Sequence, residues 1–150
     1  MIYLDANVIF AGVRHCVERT DQATRLFARK EIFYVSALSD YETRKALLTH
    51  GGTQQKLDLL DSLSAKKFRL NAGWETAISQ ALKISGQLKA RLAVDSADTL
   101  HVGWALALGA ETFASFDREK GPRALALCLG LNVWPDPAPK DFEQMKRLKG

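Results

Sequence analysis

The sequence predicts an α/β protein with a three-layer fold, a mainly parallel central sheet flanked by helices. The order of the elements carries this, and it in turn gives four acids their meaning. Short strand-like runs, Ile2 to Leu4, Phe33 to Ser36, Thr112 to Phe116 and Leu131 to Trp134, alternate with longer segments of helical periodicity, the pattern of a parallel sheet with returning helices. Four acids, Asp5, Glu42, Asp98 and Asp117, fall where those strands end or where the returning helices begin. In an open parallel sheet such positions share one rim, where ligands bind.

Taken in order, the first strand ends at Asp5, and Ala6 to Val13 follows as a short helix or turn. Asp21 opens the next helix, with Ala23, Leu26 and Phe27 facing inward. After the second strand, Ser39 to Leu48 is a helix stopped by Gly51-Gly52. Its start, Ser39-Asp40-Tyr41-Glu42, matches a capping box in which Glu42 bonds back to the backbone of Ser39. Thr53 to Leu63 sets Leu57, Leu60 and Leu63 on one helical side, and Phe68 to Leu70 reads as a short edge strand. Trp74, Ala77, Ile78, Ala81, Leu82, Ser85 and Leu88 trace an amphipathic helix.

The stretch from Asp95 to Asp117 carries the most information. Ala97, Leu100, Trp104 and Leu108 recur at helical spacing, and Val102 and Leu106 make the other side apolar, so this helix is expected to be largely buried. Gly109 is its stop. A helix of about 12 residues spans roughly 18 Å, and a strand of five rises about 16 Å. Because the helix runs back antiparallel to the strand it feeds, Asp98 and Asp117 are expected at one edge. Glu119 to Leu129 is a final core helix stopped at Gly130. Pro135, Pro137 and Pro139 then end the domain. This gives a domain over 1–135 and a proline-rich end and basic tail over 136–150. Phe142, Met145 and Leu148 share one side of that tail, which is expected to dock on its own domain.

The 150 residues suffice for one core. The formal net charge of +4 favours a polyanionic partner. No apolar run is long enough to span a bilayer, and Met1 to Asp5 lacks the basic start and apolar stretch of a signal peptide. Cys16 and Cys128 have no paired zinc spacing and are read as free thiols in a reducing cytoplasm. There is no phosphate-binding G-x-x-x-x-G-K loop, no dinucleotide fingerprint and no G-x-S-x-G elbow. Phosphotransferases that form an aspartyl phosphate need a second acid two residues after the first, where this chain has Asn7.

Each acid has an innocent explanation as a helix cap or turn residue. Caps do not explain four on one rim. Clustered carboxylates repel and take up protons unless a cation neutralises them, and a hard divalent ion with oxygen ligands, Mg²⁺ or Mn²⁺, is the natural choice. Asn7 and Ser115 either hold a water of that ion or satisfy a turn, the turn being preferred for Ser115. Asp95 is an auxiliary base or a plain N-cap, and the cap is preferred. His101 is a ligand or a hydrogen-bonded core histidine, and the core reading is preferred. Arg44, Lys45, Arg118, Lys120 and Arg123 flank the acids and are either phosphate contacts or solvated helix faces.

Four segments in order, LDANVIF, SALSDYE, DTLHVGWALALGAE and FASFD followed by GLNVWP, resemble the PIN-domain ribonucleases, and within them the VapC-type toxins of toxin–antitoxin pairs. The resemblance runs from Tyr3 to about Pro135. It implies that Asp5, Glu42, Asp98 and Asp117 bind Mg²⁺ or Mn²⁺ and cut RNA, that Ser115 matches the usual hydroxyl residue two before the last acid, and that the protein forms a homodimer and takes a small antitoxin into its active groove. Asn7 departs from the Thr or Ser frequent there, and the tail extends past the usual last strand. The expected function is a metal-dependent endoribonuclease. The rivals are a non-catalytic PIN-like module that binds RNA or protein, and a DNA-directed nuclease of the same fold.

Overall fold

A computed structural model describes residues 1–14, 17–88, 91 and 93–150. Cys16, read above as a free thiol, lies outside the described residues. Among those described are five strands and eight helices, and the strands form a parallel sheet flanked by helices, the expected α/β architecture. No helix among the described residues is long and apolar enough to cross a membrane. The chain divides into two compact units, Met1–Ala72 and Gly73–Gly150.

In the first unit β2 (Phe33–Ser36) lies between β1 (Ile2–Leu4) and β3 (Phe68–Asn71), parallel to both. Phe33 stands opposite Ile2 on one side and Phe68 on the other. Phe27 packs edge-on against both phenylalanines, which anchors α2 (Val17–Phe27) to the strands. Ala23, Leu26 and Phe27 are buried as expected, but α2 begins at Val17, so Asp21 lies inside the helix and does not open it. The remaining helices are α1 (Ala6–Val13), α3 (Ala37–Thr49) and α4 (Gln54–Lys67).

Two helix limits differ from expectation. The cap of α3 is Ser36, the last residue of β2, whose Oγ accepts the N–H of Ser39 at 3.0 Å. Ser39 is therefore inside the first turn, and Glu42 falls in the second turn, outside any capping box. Helix α4 runs past Leu63 to Lys67 because Lys66 and Lys67 suit the negative end of the helix dipole. Leu60 is buried, with Leu57 and Leu63 half-buried beside it.

In the second unit β4 (Thr112–Ala114) and β5 (Asn132–Trp134) pair in parallel, with α5 (Trp74–Leu88), α6 (Ser96–Ala107), α7 (Pro122–Cys128) and α8 (Pro139–Lys149). Helices α5 and α6 approach closely at Gly103, where a Cβ would meet Ala81 N at 2.9 Å and Ala77 O at 3.0 Å. Trp104 packs edge-on against Trp74 with centroids 4.8 Å apart. This close contact of small residues buries Ala77 and Ile84 and leaves Ile78 and Leu82 outside, contrary to the apolar face drawn from sequence. On α6 burial begins at Thr99, so Ala97, expected inward, is exposed.

Strand β4 ends at Ala114, although Ser115 and Phe116 remain buried beyond it. Helix α7 does not begin at Glu119. Pro122 at its first turn follows Gly121 at φ +89°, a conformation that glycine adopts without strain. The tail folds as α8 and packs on α7, so it docks on its own chain as expected, with Asp141 and Leu148 buried.

Candidate functional site

In the first unit the site is built from the end of β1 outward. Asp5 is 6% exposed and caps α1, with Oδ1 accepting the N–H of Ala6 at 2.7 Å and Oδ2 accepting Asn7 Nδ2 at 3.2 Å. Two residues earlier, on the same side of the strand, the Tyr3 hydroxyl lies 2.7 Å from Ser36 Oγ and 3.2 Å from Ser39 Oγ. Ser39 Oγ donates to Leu4 O at 2.8 Å, and Thr43 Oγ1 donates to Ser39 O at 2.7 Å. These hydroxyls dock the first turns of α3 onto the β1–α1 junction and bring half-buried Glu42 into the neighbourhood of Asp5. Burial pushes the Tyr3 phenol far above its ordinary range, and the negative charges of Asp5 and Glu42 both push it further, against the two serine hydrogen bonds. One buried phenol thus feels both acids.

In the second unit Asp95 is the N-cap of α6, its Oδ1 accepting the N–H of Asp98 at 2.8 Å. That is the cap reading preferred above. Asp98 stands half-buried in the first turn, and His101 one turn further on is 1% exposed, a core histidine. Asp117 follows β4. Its N–H donates to Ser115 Oγ at 3.1 Å, and its Oδ1 accepts the N–H groups of Glu119 and Lys120 at 2.9 and 3.0 Å. Ser115 is fully buried and satisfies this turn, as preferred.

The flanking cations sort into two kinds. Arg123, a candidate for phosphate contact, has no solvent exposure at all. Its guanidinium donates to Asp141 at 3.0 to 3.2 Å, to Ser115 O and Pro135 O at 2.7 Å, and to Asp136 O at 3.1 Å. It cannot reach a ligand. Arg44 is likewise committed, to Asp40 at 3.0 Å and Asp61 at 2.8 Å, and these bonds raise its pKa. Lys45, Arg118 and Lys120 are exposed. In the second unit Lys120 lines a pocket of about 210 Å³ together with Arg91, Arg147, Glu119 and Gln144. Burial raises the pKa of Cys128, a free thiol that contacts Met145 O at 3.7 Å.

Asp5 and Glu42 belong to the first unit and Asp98 and Asp117 to the second. Among the described residues no group of three or more His, Cys, Asp and Glu side chains stands ready to hold a metal ion. The donors that each unit does offer are carboxylate, amide and hydroxyl oxygens, which suit a hard divalent cation and not a soft one. Tyr3 and Ser36 were not singled out in the sequence as site residues, and Ser39 only as a helix cap, although Tyr3 shares the strand face of Asp5 and that spacing was the available signal.

The family model of the PIN domain matches residues 2–121. The chain belongs to the PIN domain family. No curated protein matches it. Among solved structures it is similar to VapC20 of Mycobacterium tuberculosis, described as a toxin that cleaves the sarcin–ricin loop, at 18% identity and a TM-score of 0.64 over 78% of this chain and 90% of that one. VapBC2 of Rickettsia felis, bound to a DNA fragment from its promoter, gives 17% identity and a TM-score of 0.63 over 78% of this chain and 89% of that one. FitAcB of Neisseria gonorrhoeae gives 21% identity and a TM-score of 0.65 over 89% and 96%. At these identities the likeness is one of PIN fold.

Proposed function

We propose that this PIN-domain protein is a Mg²⁺- or Mn²⁺-dependent endoribonuclease and the toxin of a toxin–antitoxin pair, acting in the cytoplasm as a homodimer held in check by a small antitoxin. The observation that carries this is the presence of Asp5, Glu42, Asp98 and Asp117, the acids to which the resemblance gives the metal, in a chain that the PIN model matches over 2–121. Similar folds described as a VapC toxin and as VapBC2 support the toxin reading.

In this reading Asp5, Glu42, Asp98 and Asp117 are the residues that would hold the metal, which would supply an activated water for attack on phosphorus and charge stabilisation for the leaving oxygen. Asp5 presents a carboxylate already oriented by Ala6 and Asn7. Asp117 is aimed by the turn that its own Oδ1 closes. Lys45 and Arg118, exposed and close in sequence to Glu42 and Asp117, bind the RNA backbone. Exposed cations that grip phosphate without reading groove edges suit single-stranded or loop RNA.

The test is cleavage of a single-stranded RNA by purified wild type and Asp5→Asn, with Mg²⁺, Mn²⁺ or excess EDTA. Loss of roughly a thousandfold in rate is expected for the variant, and loss of activity in EDTA. Unchanged cleavage in either condition overturns the assignment.

A further inference from the structure

The tail helix α8 touches the segment around Asp117 at three places. Asp141, with no solvent exposure, pairs with Arg123, whose Nη1 donates to Ser115 O at 2.7 Å on the near side of Asp117. On the far side Gln144 Nε2 donates to Arg118 O at 3.2 Å and to Glu119 O at 3.1 Å. Lys140 pairs with the Glu119 carboxylate. The loop itself has little regular structure of its own, since β4 has ended at Ala114 and α7 has not begun until Pro122.

We propose that α8 is a positioning element for Asp117, a clamp that fixes the backbone of 115–119 so that the carboxylate keeps one orientation. The proposal rests on the reading of Asp117 as a metal ligand only for its effect on cleavage; the clamp itself is a statement about the loop. Backbone carbonyls held from both ends leave the Asp117 side chain to be fixed by the N–H groups of Glu119 and Lys120. Without Gln144 and Lys140 the far half of the turn has lost its anchor. The carboxylate then samples orientations in which a reacting group is misplaced, and small misplacement lowers turnover steeply.

Arg123 and Asp141 are poor test sites because removing one leaves the other buried and charged, and the chain then unfolds more easily. Gln144→Ala, alone and with Lys140→Ala, avoids this, since Lys140 is exposed and Gln144 half-buried. Amide hydrogen exchange in the full chain is the primary readout. The N–H groups of Glu119 and Lys120 are expected to exchange about tenfold faster in Gln144→Ala, with the amide of Leu125 in α7 unchanged. Gln144→Lys, which keeps a donor, is expected to restore protection. In RNA cleavage Gln144→Ala is expected to lower kcat about tenfold at constant KM. Exchange that is unchanged at both amides overturns the clamp. Faster exchange with full cleavage overturns its role in positioning Asp117. If wild type does not cleave RNA the nuclease reading fails, and the exchange result still decides the clamp.

Discussion

In the first unit a network of neutral hydroxyl groups ties the strand that ends at Asp5 to its neighbours, whereas in the second a buried ion pair supports the segment that leads to Asp117. Beside Asp5 the hydroxyls of Tyr3, Ser36, Ser39 and Thr43, each able to accept as well as donate, bond one another and the carbonyls of Leu4 and Ser39. Around Asp117 the support comes from Arg123 and Asp141, both fully buried, and from main-chain carbonyls. Hydroxyls that lose one partner turn to another. A guanidinium without its carboxylate has no such recourse, because a buried unpaired charge is far more expensive than a buried unpaired hydroxyl. The first support should therefore weaken by degrees and the second all at once.

The largest expected effect follows directly. Asp141→Ala leaves Arg123 buried and unpaired and is expected to destabilise the chain by about 3–5 kcal/mol, measured by urea unfolding. The double variant Arg123→Met/Asp141→Leu removes both charges and is expected to recover most of that loss, although the carbonyls of Ser115, Pro135 and Asp136 lose their donor. A single-variant loss below about 1 kcal/mol would place the pair among ordinary surface ion pairs and remove the contrast between the units.

The next effect compares the two helix caps. Ser36 caps α3 and also bonds Tyr3, whereas Asp95 caps α6 from an exposed position. Ser36→Ala is expected to cost about 2 kcal/mol, the sum of a cap and a buried hydrogen bond, and Asp95→Ala about 1 kcal/mol. Equal losses in thermal unfolding would show that the Tyr3 bond contributes nothing beyond the cap.

These residues also show what a sequence can disclose. The strands Ile2 to Leu4 and Phe33 to Ser36 were legible because β-branched and aromatic runs end at polar residues. The burial of α6 and the stop at Gly109, at φ +69°, were legible from spacing and from the needs of a left-handed turn. The start of α3 was not, because Ser36 and Ser39 are chemically identical and only the path of the chain decides which one turns its hydroxyl to an N–H. Arg123 was mistaken for a possible phosphate contact because its partner Asp141 lies 18 residues away, in a tail rich in charged residues of both signs. Local spacing cannot report a pair that forms only when two helices pack. Asp5 does follow a strand and Asp98 does lie in a first turn, whereas Glu42 stands a turn deeper in α3 than its spacing from Ser39 suggested, because the cap is Ser36.

The smallest expected effect concerns the Tyr3 phenol and has a pH signature. Tyr3→Phe removes the hydroxyl from a network whose serines still bond each other at 3.2 Å, so the loss near neutral pH should be only about 1 kcal/mol. Folding raises the Tyr3 pKa above the unfolded value, near 10 for a free phenol. The folded state then favours the uncharged form, and the stability this group contributes is complete below that unfolded value. As pH climbs above about 10 the unfolded chain releases the proton while the folded chain keeps it, so wild type should lose about 1.4 kcal/mol of stability per pH unit relative to Tyr3→Phe. Other groups cancel in that difference. The variant, less stable at pH 8, should become the more stable of the two by about pH 11, read from urea midpoints across the series. Parallel curves for the two proteins would mean that the phenol ionises as readily folded as unfolded, and the picture of Asp5 and Glu42 pressing on a buried neutral group would have to be abandoned.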